Sequence, residues 1–153
     1  MTELKYAPLF DIAITVDPPQ DLGKTPLGMR RIVPVTGGKF EGKRLSGTIM
    51  PTAAADWILI RADGSFQLDV RLTLKTNDGE LIYMNYRGIR NSSPEVAKRL
   101  ANGEKVDPSE YYFRTAPIFE TGSAKYAWIN NIICVGVGER VPTEVRYKIF
   151  EIL

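Results

Sequence analysis

Asp56 and Asp69 are the acids whose placement suggests chemistry. They lie in the stretch 53–70, AAADWILIRADGSFQLDV, where one opens an apolar run and the other follows an Asp-Gly turn. A carboxyl group set in an apolar wall is a candidate general acid or base, because lost hydration raises its pKa toward neutrality. A guanidinium in the same wall would balance it, and Arg30, Arg61, Arg71 and Arg114 lie in or beside strand-like segments. The chain has no histidine. That removes Ser-His-Asp and Cys-His arrangements and every imidazole metal site. Cys134 is the single cysteine, so it forms no internal disulfide and no soft-metal site. Neither a metal nor a cofactor is expected, and proton transfer falls to Asp, with Tyr, Lys and Arg as the remaining polar chemistry.

A second group of candidates would grip a ligand rather than react with it. In YAWINNIICVGVG, residues 126–138, two-residue alternation places Tyr126, Trp128 and Asn130 on one face of a strand. Two aromatic walls and one amide suit a small organic molecule. The competing reading has the aromatics filling a core while Asn130 bonds a neighbouring backbone group. Trp57 divides the same way, as a ligand wall or as packing beneath a turn that Asp56 caps. A phosphate loop is not among the candidates. GGKFEGKR, 37–44, has Arg44 where the pattern requires Ser or Thr, and a strand-like segment follows where a helix should.

The elements that must position these residues are strands. Runs rich in Val, Ile, Tyr, Phe, Leu and Thr recur between Pro, Gly and Asp-Gly turn signals along all 153 residues. Asp63-Gly64 predicts a two-residue hairpin turn joining 55–62 to 66–76, and Asn77-Asp78-Gly79 predicts a second hairpin. LDVRLTLK alternates, with Asp69, Arg71, Thr73 and Lys75 opposite Leu68, Val70, Leu72 and Leu74. The polar side is read as solvated, or else as lining a wet lumen. One short helix is predicted near 93–102, where Ser93 and Pro94 begin it and Gly103 ends it. About nine strands and one helix, without strand–helix alternation, imply an all-β antiparallel domain spanning 1–153. A closed barrel hides its own edges and is preferred to a two-layer sandwich.

Composition narrows the function further. Twenty basic and eighteen acidic residues are interleaved, for a net charge of +2, and 44% of the chain is apolar. No basic stripe offers a nucleic-acid surface. No apolar run reaches the roughly 18 residues of a membrane span, and the N-terminus has no secretory pattern. The expectation is a cytoplasmic protein with no nucleic-acid or membrane partner, with homo-oligomerisation left open.

Several longer segments together resemble one family, the domain of unknown function 3237. They are PLF at 8–10, PLGMRRIVPVTGGKFEG at 26–42, ADW at 55–57, RADG at 61–64, LDVRLTLKTNDGELIYMNYRG at 68–88, YFRTAPIFET at 112–121 and YAWINNIICVGVG at 126–138. The resemblance covers nearly the whole chain and implies a lipocalin-like antiparallel β-barrel. The family's usual lead-in of the GGADW type is TAAADW here, without glycine before Asp56. It brings Arg30, Asp56, Trp57, Arg114, Tyr126, Trp128 and Asn130 forward as matching positions without assigning them roles. The leading reading is a small-molecule-binding barrel, in its catalytic form a metal-independent isomerase- or cyclase-like enzyme. Asp56 or Asp69 would then be the acid or base, with Arg30, Trp57, Arg114, Tyr126, Trp128 and Asn130 as ligand contacts. The alternative is a structural or interaction protein with a packed barrel that acts through a dimer surface.

Overall fold

A computed structural model describes residues 2–153. The β-rich runs form ten antiparallel strands: β1 Tyr6–Val16, β2 Gln20–Thr25, β3 Gly28–Glu41, β4 Ser46–Ile49, β5 Ala55–Ile60, β6 Phe66–Thr76, β7 Leu81–Asn91, β8 Tyr112–Glu120, β9 Ile133–Val141 and β10 Glu144–Ile152. The predicted helix is α1, Pro94–Ala101, with the Ser93 hydroxyl accepting the Val96 N–H as its cap. The sheet closes on itself because β1 pairs with β10 on one side and β3 on the other. β4 and β5 pair with successive parts of β3 and β6, so the two together fill one ring position. Eight positions thus complete an antiparallel barrel, and β2 extends beyond it as a hairpin with β3.

Both predicted hairpins form, the first with a wider turn than expected. β5 and β6 pair Ile60 with Phe66. The Arg61 N–H donates to the Ser65 carbonyl and the Gly64 N–H to the Arg61 carbonyl, each at 2.9 Å. This is a three-residue loop with Gly64 at φ +84°, where glycine escapes the Cβ clash. The loop at 76–80 repeats it, with Gly79 at φ +91°. In each, an aspartate three residues beyond the last strand-paired position takes a hydroxyl: Asp63 from Ser65 at 2.6 Å and Asp78 from Thr76 at 2.6 Å.

β6 carries out the predicted alternation, burying Leu68, Val70, Leu72 and Leu74 and turning Asp69, Arg71, Thr73 and Lys75 outward. The barrel has two unlike ends. One is floored by Phe10, Phe40 and Phe119, with ring centroids 5.3 and 5.9 Å from Phe10, and by Ile129 and Leu74, both fully buried. The other is open and rimmed by the turn after β1, the β5–β6 and β9–β10 turns and α1. Among the described residues no helix is long and apolar enough to cross a membrane.

The segment 126–132 is the main departure from the expected strand pattern. Ala127–Asn131 is a short 3-10 helix rather than strand. It lies in the long β8–β9 connection, where local turn bonding such as Ile129 N–H to the Tyr126 carbonyl, 3.0 Å, replaces a ladder. Alternation therefore does not apply to Tyr126, Trp128 and Asn130.

Candidate functional site

The open half of the barrel holds a cavity of about 830 Å³. Its polar wall comes from inward positions of five strands: Arg31 of β3, Asp56 of β5, Tyr86 and Arg90 of β7, Arg140 of β9 and Tyr147 of β10. Phe66 and Phe113 supply aromatic wall, and Leu100 of α1 closes part of the rim.

Asp56 faces this wall by alternation with Ile58 and Ile60, and the ladder lapses just after it. β5 and β6 pair at Asp56–Val70 and again at Leu59–Gln67, with no pairing recorded between. The Asp69 N–H, released from the ladder, donates to Asp56 Oδ1 at 3.1 Å. The carboxyl group thus satisfies a backbone donor that would otherwise be left over. Burial pushes the Asp56 carboxyl up to about 7, against the pull of the Asp69 N–H and the Arg90 charge. A group half-ionised near neutrality can both take and return a proton.

Around it stand neutral donors and fixed cations. The Tyr86 hydroxyl donates to the Tyr147 hydroxyl at 3.3 Å, and the two rings meet edge to face at 5.3 Å. Burial raises both phenols well above their ordinary value, so they stay protonated. Arg90 lies 4.2 Å over the Phe66 ring. Burial, then the neighbouring Arg140, lower it to about 10, and it remains a cation near neutral pH. Glycine shapes the wall as well: a Cβ at Gly138 would lie 2.6 Å from the Phe113 ring, so this position lets Phe113 pack against β9.

Of the residues singled out from sequence, only Asp56 lines the cavity. Asp69 faces outward opposite Arg87 and contributes its backbone N–H alone. Arg30 is one position out of phase with Arg31; its Nη1 donates to the Trp57 carbonyl at 3.0 Å outside the lumen. Trp57 also faces out, 5.9 Å beneath Arg71. Arg114 is next to the inward Phe113, with its Nη1 on the Phe113 carbonyl at 2.9 Å.

Tyr126, Trp128 and Asn130 belong to the closed end, so the expected shared cavity of Trp128 and Asn130 does not form. The Tyr126 hydroxyl donates to Asp78 Oδ1 at 2.9 Å, and Trp128 carries Arg44 at 3.4 Å above its ring. Asn130 clasps Thr121, accepting its N–H at 2.8 Å and donating to its carbonyl at 3.0 Å. Cys134 is buried, and burial pushes its thiol up to about 12, which leaves it no nucleophile.

The residues missed had a signal. Ile82, Met84, Tyr86, Gly88 and Arg90 alternate in LIYMNYRGIRN, and Cys134, Gly136, Gly138 and Arg140 alternate in ICVGVGERV. In each, an inward apolar or glycine series ends in arginine at the open rim.

A family described as Protein of unknown function (DUF3237) matches residues 4–152. A UPF0311 protein of Clostridium acetobutylicum is 38% identical over 151 residues, covering 98% of this chain and 95% of that protein. The crystal structure of a conserved protein of unknown function from Rhodopseudomonas palustris superposes with TM-score 0.96 at 33% identity, over all of both chains. A more distant crystal structure, of a Penicillium herquei protein described as an enzyme, has TM-score 0.71 at 20% identity, over 97% of this chain and 96% of that one.

Proposed function

The chain belongs to the family described as Protein of unknown function (DUF3237), and on that premise we propose that it binds a small organic molecule in the open half of the barrel and moves a proton on it at Asp56. The observation that carries this reading is a carboxyl group poised at about 7 in the wall of an 830 Å³ cavity that also holds Arg90. A cavity of this size suits a mono- or bicyclic ligand. The fold itself is also that of a protein described as an enzyme, which agrees with a catalytic use of such a barrel.

The step is an isomerisation. Ionised Asp56 takes a proton from a carbon beside a carbonyl, and the C–H electron pair moves into an enolate. Arg90 or the Tyr86–Tyr147 pair holds the enolate oxygen as charge develops there. Neutral Asp56 then returns the same proton at another carbon of the conjugated system, so no electron donor or acceptor is consumed. A ring closure follows the same balance when an internal hydroxyl adds to a conjugated carbonyl, with Asp56 taking the hydroxyl proton and returning it to carbon.

The competing packed-barrel reading requires side chains to fill the lumen. The floor half meets that requirement and the rim half does not. The test is NMR of the full chain with carboxyl-labelled aspartate, with 2-naphthol as a neutral probe. The expected result is an Asp56 titration midpoint near 7 that moves on adding 2-naphthol, together with shifts at Phe66, Phe113 and Tyr147. An Asp56 midpoint below about 5, or probe shifts confined to the outer surface, would overturn the reading.

A further inference from the structure

Three guanidiniums line the cavity, and only one has an acid partner there. Arg31 Nε sits 3.4 Å from Asp21 Oδ2. Asp17, in the turn after β1, forms no ion pair with Arg90 or Arg140 among the described residues. Arg140 Nη1 reaches the Glu144 carbonyl at 3.4 Å, a long contact that leaves its other donors unused. The Arg90 side chain has no hydrogen bond and no ion pair among the described residues; its guanidinium carbon lies 4.2 Å from the centre of the Phe66 ring and 5.9 Å from that of Phe113. Aromatic rings accept no conventional hydrogen bond, so the guanidinium N–H groups are left without a protein acceptor among the described residues.

An unpaired, partly desolvated guanidinium is costly, and a second one nearby adds repulsion. Burial and then the charge of Arg140 are the causes that lower Arg90. One anionic group placed between the pair removes both penalties, and a carboxylate matches a guanidinium edge with two parallel bonds. Asp56 does not fill this role: its Oδ1 accepts the Asp69 N–H, it forms no ion pair with either arginine among the described residues, and burial holds it partly protonated near neutral pH.

Resting on the reading above, we propose that Arg90 and Arg140 form an anion subsite that receives the carboxylate of a small aromatic acid whose ring lies against Phe66 and Phe113. The rings are inward and next to the arginines, so charge and apolar body are recognised side by side. The subsite selects a monoanion. Inorganic phosphate, a mixture of mono- and dianion near neutral pH, has no apolar surface for the phenylalanines, and its dianion also meets the partial charge of Asp56.

The test uses the full chain and three probes, 2-naphthoate, its neutral amide 2-naphthamide, and inorganic phosphate, read by calorimetry and by NMR of the arginine side-chain N–H groups. The expected result is that 2-naphthoate binds at least tenfold more tightly than 2-naphthamide and shifts Arg90 and Arg140, while phosphate does neither. Arg90→Gln should abolish the preference, so that 2-naphthoate binds no more tightly than 2-naphthamide does to the same variant. Arg44→Gln, at the closed end, should change neither. Equal affinity of acid and amide in the native chain overturns the anion subsite but leaves the lumen reading standing, and that comparison needs no variant. Retained preference for the acid in Arg90→Gln overturns it as well, as does tight phosphate binding. If neither naphthalene compound perturbs Phe66 or Phe113, and 2-naphthol also fails to, both the subsite and the lumen reading fall.

Discussion

Asp56 is the residue at which structure and chemistry meet, and its ionisation is linked to folding. Its ordinary value is 3.8 and its folded value about 7. Between those two values the folded chain holds a proton that the unfolded chain has lost, so the contribution of this group to stability falls as pH rises from about 4 to about 7 and is level above that. Asn at this position keeps an oxygen for the Asp69 N–H and carries no charge to bury. Asp56→Asn should therefore stabilise the fold at pH 8 by a few kcal/mol and have little effect at pH 4. Urea unfolding midpoints at the two pH values check this, and a stability gap that does not widen with pH would count against the raised value. The acid was legible in the sequence because a carboxyl in an apolar strand needs a reason. The arginines that share its cavity were not, since Arg30 and Arg31 are adjacent and only the phase of β3 decides which one points inward.

The turn that delivers β5 contains a strained residue. Ala53 has φ +56°, the one non-glycine residue with positive φ among those described. An alanine in the left-handed region pays about 1–2 kcal/mol for its Cβ. Ala53→Gly should thus stabilise the protein by roughly 0.5–1 kcal/mol after the added flexibility of the unfolded chain is subtracted. A calorimetric melting temperature that stays level or drops would show that the turn tolerates alanine without strain. The element read least well from sequence was 126–132. Its residues are strand-like in composition, yet it closes the floor of the barrel through a 3-10 helix and a clasp from Asn130 to Thr121. Apolar content reports enclosure, and a short enclosed run does not reveal whether a ladder or a buried connection encloses it.

The barrel is packed at one end and open at the other, and core substitutions should register the difference. Leu72 is 1% exposed and lies outside the cavity wall, whereas Ile58 borders the cavity. Leu72→Ala leaves a new void and should cost about 2–5 kcal/mol. Ile58→Ala enlarges a space that already exists and should cost about half as much or less, as measured by urea denaturation of both variants. Equal costs would mean that the open half is as tightly packed as the floor. The sequence by itself determined the antiparallel strands, both hairpins, the capped helix and the inward face of β6. Each depends on turn residues or on the two-residue period, which act over neighbours in the chain. Only the tertiary structure decided that β1 closes onto β3 and β10, that Arg90 and Arg140 share a cavity with Asp56, and that Trp128 and Asn130 lie at the far end. Those outcomes follow from the register between strands distant in sequence and from barrel closure, and no local pattern carries either.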